Sequence, residues 1–599
     1  MDQDKIRNVA IIAHVDHGKT TLVDKLFHQS GMFRDNQEVA ERLMDSMDLE
    51  RERGITIASK NGSYNYGEYK INIIDTPGHA DFGGQVERVM RMADGVVLLV
   101  DAQEGPMPQT FFVVKKALAA KLPILVLVNK IDKDGARCEW VVDEVFDLLA
   151  RLEAPDETLD FPVVYGSAKN GYMVEDPNDP IVPGQGMDLI SEMIVKHVPP
   201  PPGDVDAPLQ LQINTIDYSP YLGRLGIGRL ANGTLRLNEN IVVCRRDGSI
   251  KPVRISKIFG FVGDAQVPVD SACAGDIVAV AGMEDVTVGV TFTDPDNPQP
   301  LPLIEIDPPT ISMHFIPNDS PFAGQDGKFV TSRHLDERLN RETLADVALH
   351  VETLTDGVGF RVSGRGELHL SILIEKMRRE GYEFQVTRPH VIMREENGKT
   401  IEPYESLTVD VDEQYQGVVI EKLGKLKGVL SDMQVENGMS RMIFKIPTRG
   451  LLGYRSEFMT DTRGMGVMNY VFAEWGPHAG AIQNRQNGVM IVMENCTSVA
   501  FALFNLQERG TLFIKPGEDL YKGQIIGENC RQADLVVNPA KGKKLTNMRA
   551  SGSDEAVILT PPLDMSLEDC ISYINDDELV EVTPRIIRLR KQKDAKIRA

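Results

Sequence analysis

One stretch constrains this chain more than any other: AHVDHGKTT, Ala13 to Thr21. It follows an apolar run (Val9, Ile11, Ile12) that predicts a buried strand. It opens a pattern through Leu22, Val23, Leu26 and Phe27 that predicts a helix. A strand, a tight loop and a helix N-terminus together make an anion site, because free backbone N–H groups and the positive end of the helix dipole face one point. Lys19 can then reach terminal phosphates, and the Thr20 hydroxyl can ligate Mg²⁺. The first position of the pattern G-x-x-x-x-G-K-[ST] is Ala13 here, not glycine. By itself the stretch leaves an ordinary surface loop as the alternative, and the downstream order decides between them.

A polar region, residues 30–54, ends in RERGITI (51–57) and is long for a connection, which points to a switchable segment. INIIDTPGHADF then starts at Ile71. Its apolar half predicts a strand with Asp75 at the C-terminal end, where open α/β sheets hold ligands. A carboxylate there can hold Mg²⁺ through a water, and Gly78 gives a loop the freedom to offer its N–H to a phosphate. Strands are predicted at 96–101, 124–129 and 162–166, and helices at 109–120, 140–152 and 187–198. Such alternation implies a parallel sheet covered on both faces. NKID (129–132) ends one strand, and Asp132 can accept both guanine donors, a pair adenine lacks. GSAK (166–169) ends the next and can present the Ala168 N–H to guanine O6. Four such elements in order, each at a strand end, imply a GTP/GDP site with Mg²⁺. The expected nucleotide contacts are Asp16, His17, Gly18, Lys19, Thr20, Thr21, Asp75, Gly78, Asn129, Lys130, Asp132, Ser167, Ala168 and Lys169.

AHVDHGKTT, RERGITI, DTPGHADF, NKID and GSAK together resemble the G-domain of translational GTPases. The resemblance implies that His79 orients the attacking water once large-subunit ribosomal RNA engages it. It also implies that Thr56 closes over the γ-phosphate and binds Mg²⁺, and that Val15 and Ile55 form an apolar gate before His79. Asp16 matches a position that helps hold a monovalent cation near the phosphates. Phosphoryl transfer through a loose transition state is mostly positioning and charge stabilisation, here by Lys19, Mg²⁺ and loop amides. No arginine finger in cis is obvious, although Arg51 and Arg53 stay open. A slow hydrolase accelerated by a partner is therefore expected.

At 599 residues the chain suggests roughly four domains of about 150 residues. Hydrophobic and charged contents of 42% and 26% are those of an ordinary globular protein, and no apolar run is long enough to span a bilayer. The start MDQDKIRN carries acids and has no apolar signal core, so a cytoplasmic protein is expected. A monomer with no membrane or DNA partner is expected as well. Six scattered cysteines without a C-x-x-C pair read as free thiols. A net charge of −23 argues against indiscriminate coating of nucleic acid, but local basic clusters can still meet RNA. Two such clusters exist, KGKKLTNMR (541–549) and the tail from Arg585.

KHVPPPPGD (196–204) is a stiff hinge, and short β-rich runs follow to about Phe292, with turn signals at Asn232-Gly233 and Asp247-Gly248. GRLGIGRLANGTL (223–235) resembles the β-barrel that follows the G-domain in translation factors. After PDNPQPLP (295–302), residues 310–389 mix strands with helices predicted at 332–343 and 367–380. SGRGELHL (363–370) there resembles the third domain of elongation factor G, with Arg365 either a phosphate contact or a residue that opens the helix. Residues 402–476 read strand, helix, two strands, helix, strand, and EPYESLTVDVDEQYQGVVIEKL and GLLGYRSEFMTDTRG there resemble that factor's fifth domain. Both modules would be ferredoxin-like. Only residues 381–401 separate them, so the fourth, translocating domain of elongation factor G has no room.

From about Gln483 strand-like runs are read at 489–493, 499–504 and 524–527, then a helix near 566–574 and a final strand at 579–589. QNGVMIVMENCTSVAFALFNLQERG and GKKLTNMRASGSDEAV resemble the C-terminal domain of the BipA/TypA family, and with the earlier modules the match runs nearly end to end. LepA, which also lacks a fourth domain, does not share the 541–549 loop. The resemblance implies that this loop reaches transfer RNA near the peptidyl transferase centre, with Lys541, Lys543, Lys544, Asn547 and Arg549 as RNA contacts. Cations meeting phosphates would make such binding salt-dependent. The basic tail reads equally as a solvated strand edge or an RNA contact.

The expected architecture is therefore multidomain α/β plus β. It comprises a P-loop GTPase domain (1–202), a β-barrel (203–302), two ferredoxin-like modules (303–390 and 391–482) and a β-rich C-terminal domain (483–599). The expected function is a GTPase stimulated by the large ribosomal subunit, acting in assembly of that subunit or in translation under stress such as cold or virulence-related conditions. Three alternatives stand beside it: an assembly factor in which GTP only gates RNA binding, a LepA-like elongation factor, and a signalling GTPase acting away from ribosomes.

Overall fold

The run 6–13 forms the predicted strand in a computed structural model of the chain, and all eight of its residues are buried. The structure describes residues 2–14, 16–29, 48–53, 59–76, 83–180, 182, 184–219, 222–282, 286–304, 309–346, 348–355, 357–436, 438–482, 485, 487–542, 558–593, 595 and 596. These fall into two units, residues 1–307 with 344–347, and residues 308–343 with 348–599.

The first unit begins with a doubly wound layer. Its elements are β1 (Ile6–Ala13), α1 (Lys19–Gln29), α2 (Asp48–Arg53), β2 (Lys60–Tyr66), β3 (Tyr69–Asp75), α3 (Gly83–Met90), β4 (Gly95–Asp101) and α4 (Pro108–Ala119). They continue with β5 (Ile124–Asn129), α5 (Cys138–Arg151), α6 (Asp156–Leu159), β6 (Val163–Ser167), β7 (Tyr172–Val174) and α7 (Asp188–His197). The strand order is β2-β3-β1-β4-β5-β6-β7, parallel from β3 to β6 with an antiparallel strand at each edge. β4 and β5 are buried at every position, as strands covered on both faces must be. Pro108 opens α4, where its fixed φ and missing N–H cost nothing. The register pairs Ile11 with Asp75, Asp101 with Asn129, and Asn129 with Gly166. Every strand end that sequence marked as chemical therefore lies along one edge of the sheet.

The antiparallel barrel follows. Its strand order is 250–254, 240–244, 291–293, 210–219, 223–232, 277–281, 257–262 and 265–269. The Asp247-Gly248 turn closes the hairpin of Asn240–Cys244 with Ile250–Arg254, with Gly248 at φ +79°. Asn232-Gly233 turns the chain without making a hairpin, because Thr234–Arg236 pairs with Ser271–Cys273 instead. Barrel and sheet share one hydrophobic core, in which Val86 and Val89 of α3 lie with Leu225, Ile227, Phe259 and Ile277. Ser63 of β2 and Gly263 exchange backbone bonds of 2.9 and 2.7 Å, and ion pairs of 2.8 Å join Lys70 to Asp276 and Arg229 to Asp94. Burial raises the Asp94 carboxyl above the ordinary range against the pull of Arg229 and Asn8.

In the second unit, helices Ser332–Ala345 and Glu367–Arg379 match the two predicted in the first module. Residues 402–476 follow the predicted order, with strand Lys399–Asp412, helix Gln416–Lys425, strands Val429–Glu436 and Met439–Pro447, helix Tyr454–Asp461 and strand Val467–Pro477. The first module and the C-terminal region form one continuous sheet. Phe384–Thr387 pairs antiparallel with Glu578–Val582, and the order continues through 587–591, 524–529, 489–492 and 535–537. One core runs across that junction, from Phe315, Phe384 and Leu373 to Val489, Ile525 and Leu589.

Three readings of the C-terminal region are corrected. Residues 499–504 are not a strand: Ala500–Gln507 is a helix, whose AFALF run has no alternation and buries only Ala502 and Leu503. The final strand is a hairpin, Glu578–Val582 with Ile587–Lys591. The basic tail is not a sheet edge, because Ile587–Lys591 is paired on both sides. Several of its cations meet carboxylates within the unit. Arg588 lies 3.4 Å from Glu581, Arg590 2.9 Å from Asp319, and Lys591 within 3.2 Å of Asp534, Asp577 and Glu578. The predicted C-terminal helix is Leu567–Tyr573, opened by a Ser566/Asp569 capping box. Among the described residues, no helix is long and apolar enough to cross a membrane.

Candidate nucleotide-binding site

The chain leaves β1 at Ala13 and enters α1 at Lys19. Between them Asp16 and Gly18 take φ of +65° and +97°. A Cβ on Gly18 would lie 2.5 Å from Asn129 Nδ2, so only glycine fits there. Asn129 explains the closeness. Its Nδ2 donates to the His17 carbonyl at 2.8 Å, and its Oδ1 accepts from the Ala168 N–H at 2.9 Å. One buried amide therefore fastens the NKID and GSAK loops to the phosphate loop.

Lys19 lies 2.8 Å from Asp75 Oδ1 and also donates to the Thr76 carbonyl. Both side chains are almost wholly buried, and Thr76 Oγ1 donates to the Ile11 carbonyl at 2.7 Å. An ammonium is thus held at the mouth of the loop, beside the carboxylate at the end of β3. Lys130, at φ +64°, reaches back to Asp101 at 2.6 Å. Burial works to raise the Asp101 carboxyl, but Lys130 and the Gln103 N–H hold it below the ordinary aspartate range. Asp132 is exposed, accepting from Asn170 Nδ2 at 3.0 Å, and is open to a base from outside. Ser167 and Ala168 are buried at the end of β6, while Lys169 is exposed. Thr20 and Thr21 are half-buried in the first turn of α1.

The donor set fits Mg²⁺ better than a metal held by protein alone. No group of three or more His, Cys, Asp or Glu able to hold a metal occurs among the described residues. Mg²⁺ needs no such cage, since it keeps waters and takes phosphate oxygens alongside one or two side chains. Thr20 and Asp75 could supply those. Val15, Ile55, Thr56, Gly78 and His79 lie outside the described residues, as do Lys543, Lys544, Asn547 and Arg549 of the C-terminal loop. Lys541 is exposed. Arg365 opens a helix, directly preceding the Gly366 N-cap of Glu367–Arg379, and its carbonyl accepts from Thr310 Oγ1.

The sequence did not single out Asp101 and Asn170, which hold Lys130 and Asp132, or Glu104, whose Oε2 lies 3.3 Å from His17 Nε2. The first was findable, because Asp101 ends an apolar strand just as Asp75 does.

A phosphate loop, a strand-end carboxylate and a tethered N-K-x-D loop along one sheet edge, with a β-barrel behind, define a GTPase of the translation-factor type. The profile of the elongation factor Tu GTP-binding domain matches residues 4–200, and that of the factor's domain 2 matches 223–293. The elongation factor G C-terminus matches 399–486, and the TypA/BipA C-terminal domain matches 487–596. Proteins named large ribosomal subunit assembly factor BipA are similar along the whole chain. The one from Escherichia coli K12 is 53% identical over 591 residues (98% of this chain, 97% of the relative). The one from Bacillus subtilis is 51% identical over 592 residues (98% and 96%), and that from Synechocystis is 54% identical over 587 residues (98% of each). A crystal structure of a Thermus thermophilus protein shares the fold, with a TM-score of 0.54 and 16% identity over 80% of this chain and 98% of that one. The chain belongs to the BipA/TypA family and is a GTPase.

Proposed function

We propose that this GTPase serves assembly of the large ribosomal subunit, and translation under stress such as cold, in the cytoplasm. It would hydrolyse GTP to GDP and phosphate when it docks on the large subunit. The observation that carries this reading is identity of 51–54% over 98% of the chain with relatives named as assembly factors of that subunit.

In this reading the nucleotide phosphates lie on the N–H groups between Asp16 and Thr21, and Lys19 turns its ammonium to the terminal phosphoryl oxygens. Asp132 accepts the two guanine donors and Ala168 offers its N–H to O6, while Asn129 and Lys130 hold those loops in place. Mg²⁺, when bound through Thr20, Thr56 and a water on Asp75, neutralises charge on the phosphoryl oxygens. His79 orients the attacking water once RNA brings it past Val15 and Ile55, and Asp16 helps hold a monovalent cation. Lys541, Lys543, Lys544, Asn547 and Arg549 meet ribosomal or transfer RNA, and exposure of Lys541 supports that part.

The test is phosphate release by the full chain with and without purified large subunits. Strong acceleration that is lost in His79→Ala, with co-sedimentation intact, supports the reading. Absence of acceleration at low salt overturns it.

A further inference from the structure

The turn after β4 carries a carboxylate that nucleotide recognition does not use. The His17 side chain is wholly buried beneath the phosphate loop. Its Nδ1 accepts the Asp101 backbone N–H at 3.3 Å, with the Leu99 carbonyl 3.4 Å away. Accepting that N–H takes a lone pair on Nδ1, which leaves Nε2 as the ring nitrogen that can donate. Buried Nε2 has no well-aligned hydrogen-bond acceptor, and the Glu104 carboxylate stands nearest, with Oε2 3.3 Å away. Glu104 is half exposed, its carboxyl held below the ordinary range by the imidazole. His17 is therefore tied at its carbonyl by Asn129 and at Nδ1 by Asp101, while Nε2 faces, across 3.3 Å, a carboxylate reaching in from the surface. Asp101 in turn holds Lys130, so the same turn touches both the phosphate loop and the guanine loop.

We propose that Glu104 is a positioning residue for the phosphate loop, gripping Nε2–H of His17 and so setting how fast bound guanine nucleotide leaves. This rests on the reading that places the nucleotide on this loop, and adds control of its release. Loss of the Glu104 side chain removes the carboxylate 3.3 Å from that buried nitrogen, and the loop gains freedom at its centre.

The experiment is stopped-flow release of methylanthraniloyl-GDP from the full chain, comparing wild type with Glu104→Ala and Glu104→Gln. Glu104→Ala should release roughly tenfold faster, the scale of one hydrogen bond to a charged group. Glu104→Gln, whose amide oxygen still accepts from Nε2–H, should stay within about threefold of wild type. In a His17→Gln background the Glu104→Ala effect should vanish, because the two act through one contact. Unchanged release in Glu104→Ala overturns the inference. So does equal acceleration in Ala and Gln variants, which would mark a general charge effect. Failure of wild type to bind the GDP probe would overturn the nucleotide reading itself, and this inference with it.

Discussion

Asn129→Ala probes the tether on which the whole site depends. Asn129 is buried and makes two bonds to two different loops, to the His17 carbonyl at 2.8 Å and from the Ala168 N–H at 2.9 Å. Truncation leaves one acceptor and one donor without partners, at about 1–3 kcal/mol each. The space vacated is polar and near the size of one water, which can rejoin the two groups in part. A net loss of about 2–3 kcal/mol is expected. It should appear mainly in nucleotide affinity, because the strands beneath keep their ladder. That corresponds to GDP binding weaker by roughly 30- to 150-fold. Asn129→Asp keeps the acceptor for Ala168 but sets an oxygen against the His17 carbonyl, so it should bind at least as weakly as the alanine variant. Equilibrium titration with methylanthraniloyl-GDP measures both, with circular dichroism confirming the fold. Affinity within threefold of wild type for Asn129→Ala would refute the claim that this amide carries the coupling.

Further tests follow from the same geometry. Glu581 is buried and accepts from Tyr521 Oη at 2.5 Å, Asn318 at 2.9 Å and Ser320 at 2.8 Å, so Glu581→Ala should cost about 3–5 kcal/mol. Faster amide exchange in 384–387 and 578–582 would register that loss, and unchanged protection would show that the junction does not need the carboxylate. Burial works to lower the Lys591 ammonium, but Asp577, Glu578 and Asp534 raise it above 10.5. Its stabilising contribution is therefore complete below pH 10.5 and fades as pH climbs through the raised value. Lys591→Met should flatten the alkaline loss of exchange protection in 587–591, and an identical profile would sink the assignment. Replacing Lys541, Lys543 and Lys544 by alanine should weaken co-sedimentation with ribosomal particles and reduce its salt slope, leaving intrinsic hydrolysis untouched. An unchanged slope would mean an ordinary solvated loop.

Much of the GTPase layer was legible because its strands are covered on both faces. Runs such as Gly95–Asp101 and Ile124–Asn129 must be continuously apolar, and the polar residue closing each run stands out. Asp75 and Asn129 were found that way. The C-terminal region was harder to read. In Ala500–Gln507 a short apolar run carries no period that separates strand from helix, so composition pointed to the wrong element.

Residue order alone was enough for the phosphate loop, the guanine motif and the succession of modules, since each depends on contacts within a few positions or on turn chemistry. It could not announce that Phe384–Thr387 and Glu578–Val582 are neighbours in one sheet, nearly 200 residues apart. Nor could it show that Arg588, Arg590 and Lys591 of the basic tail meet Glu581, Asp319 and the three carboxylates around Lys591. Long-range strand pairing and the matching of buried charges depend on which surfaces meet after collapse. That information exists only once the chain has folded, which is also why Glu104 and His17 come together unannounced by any motif.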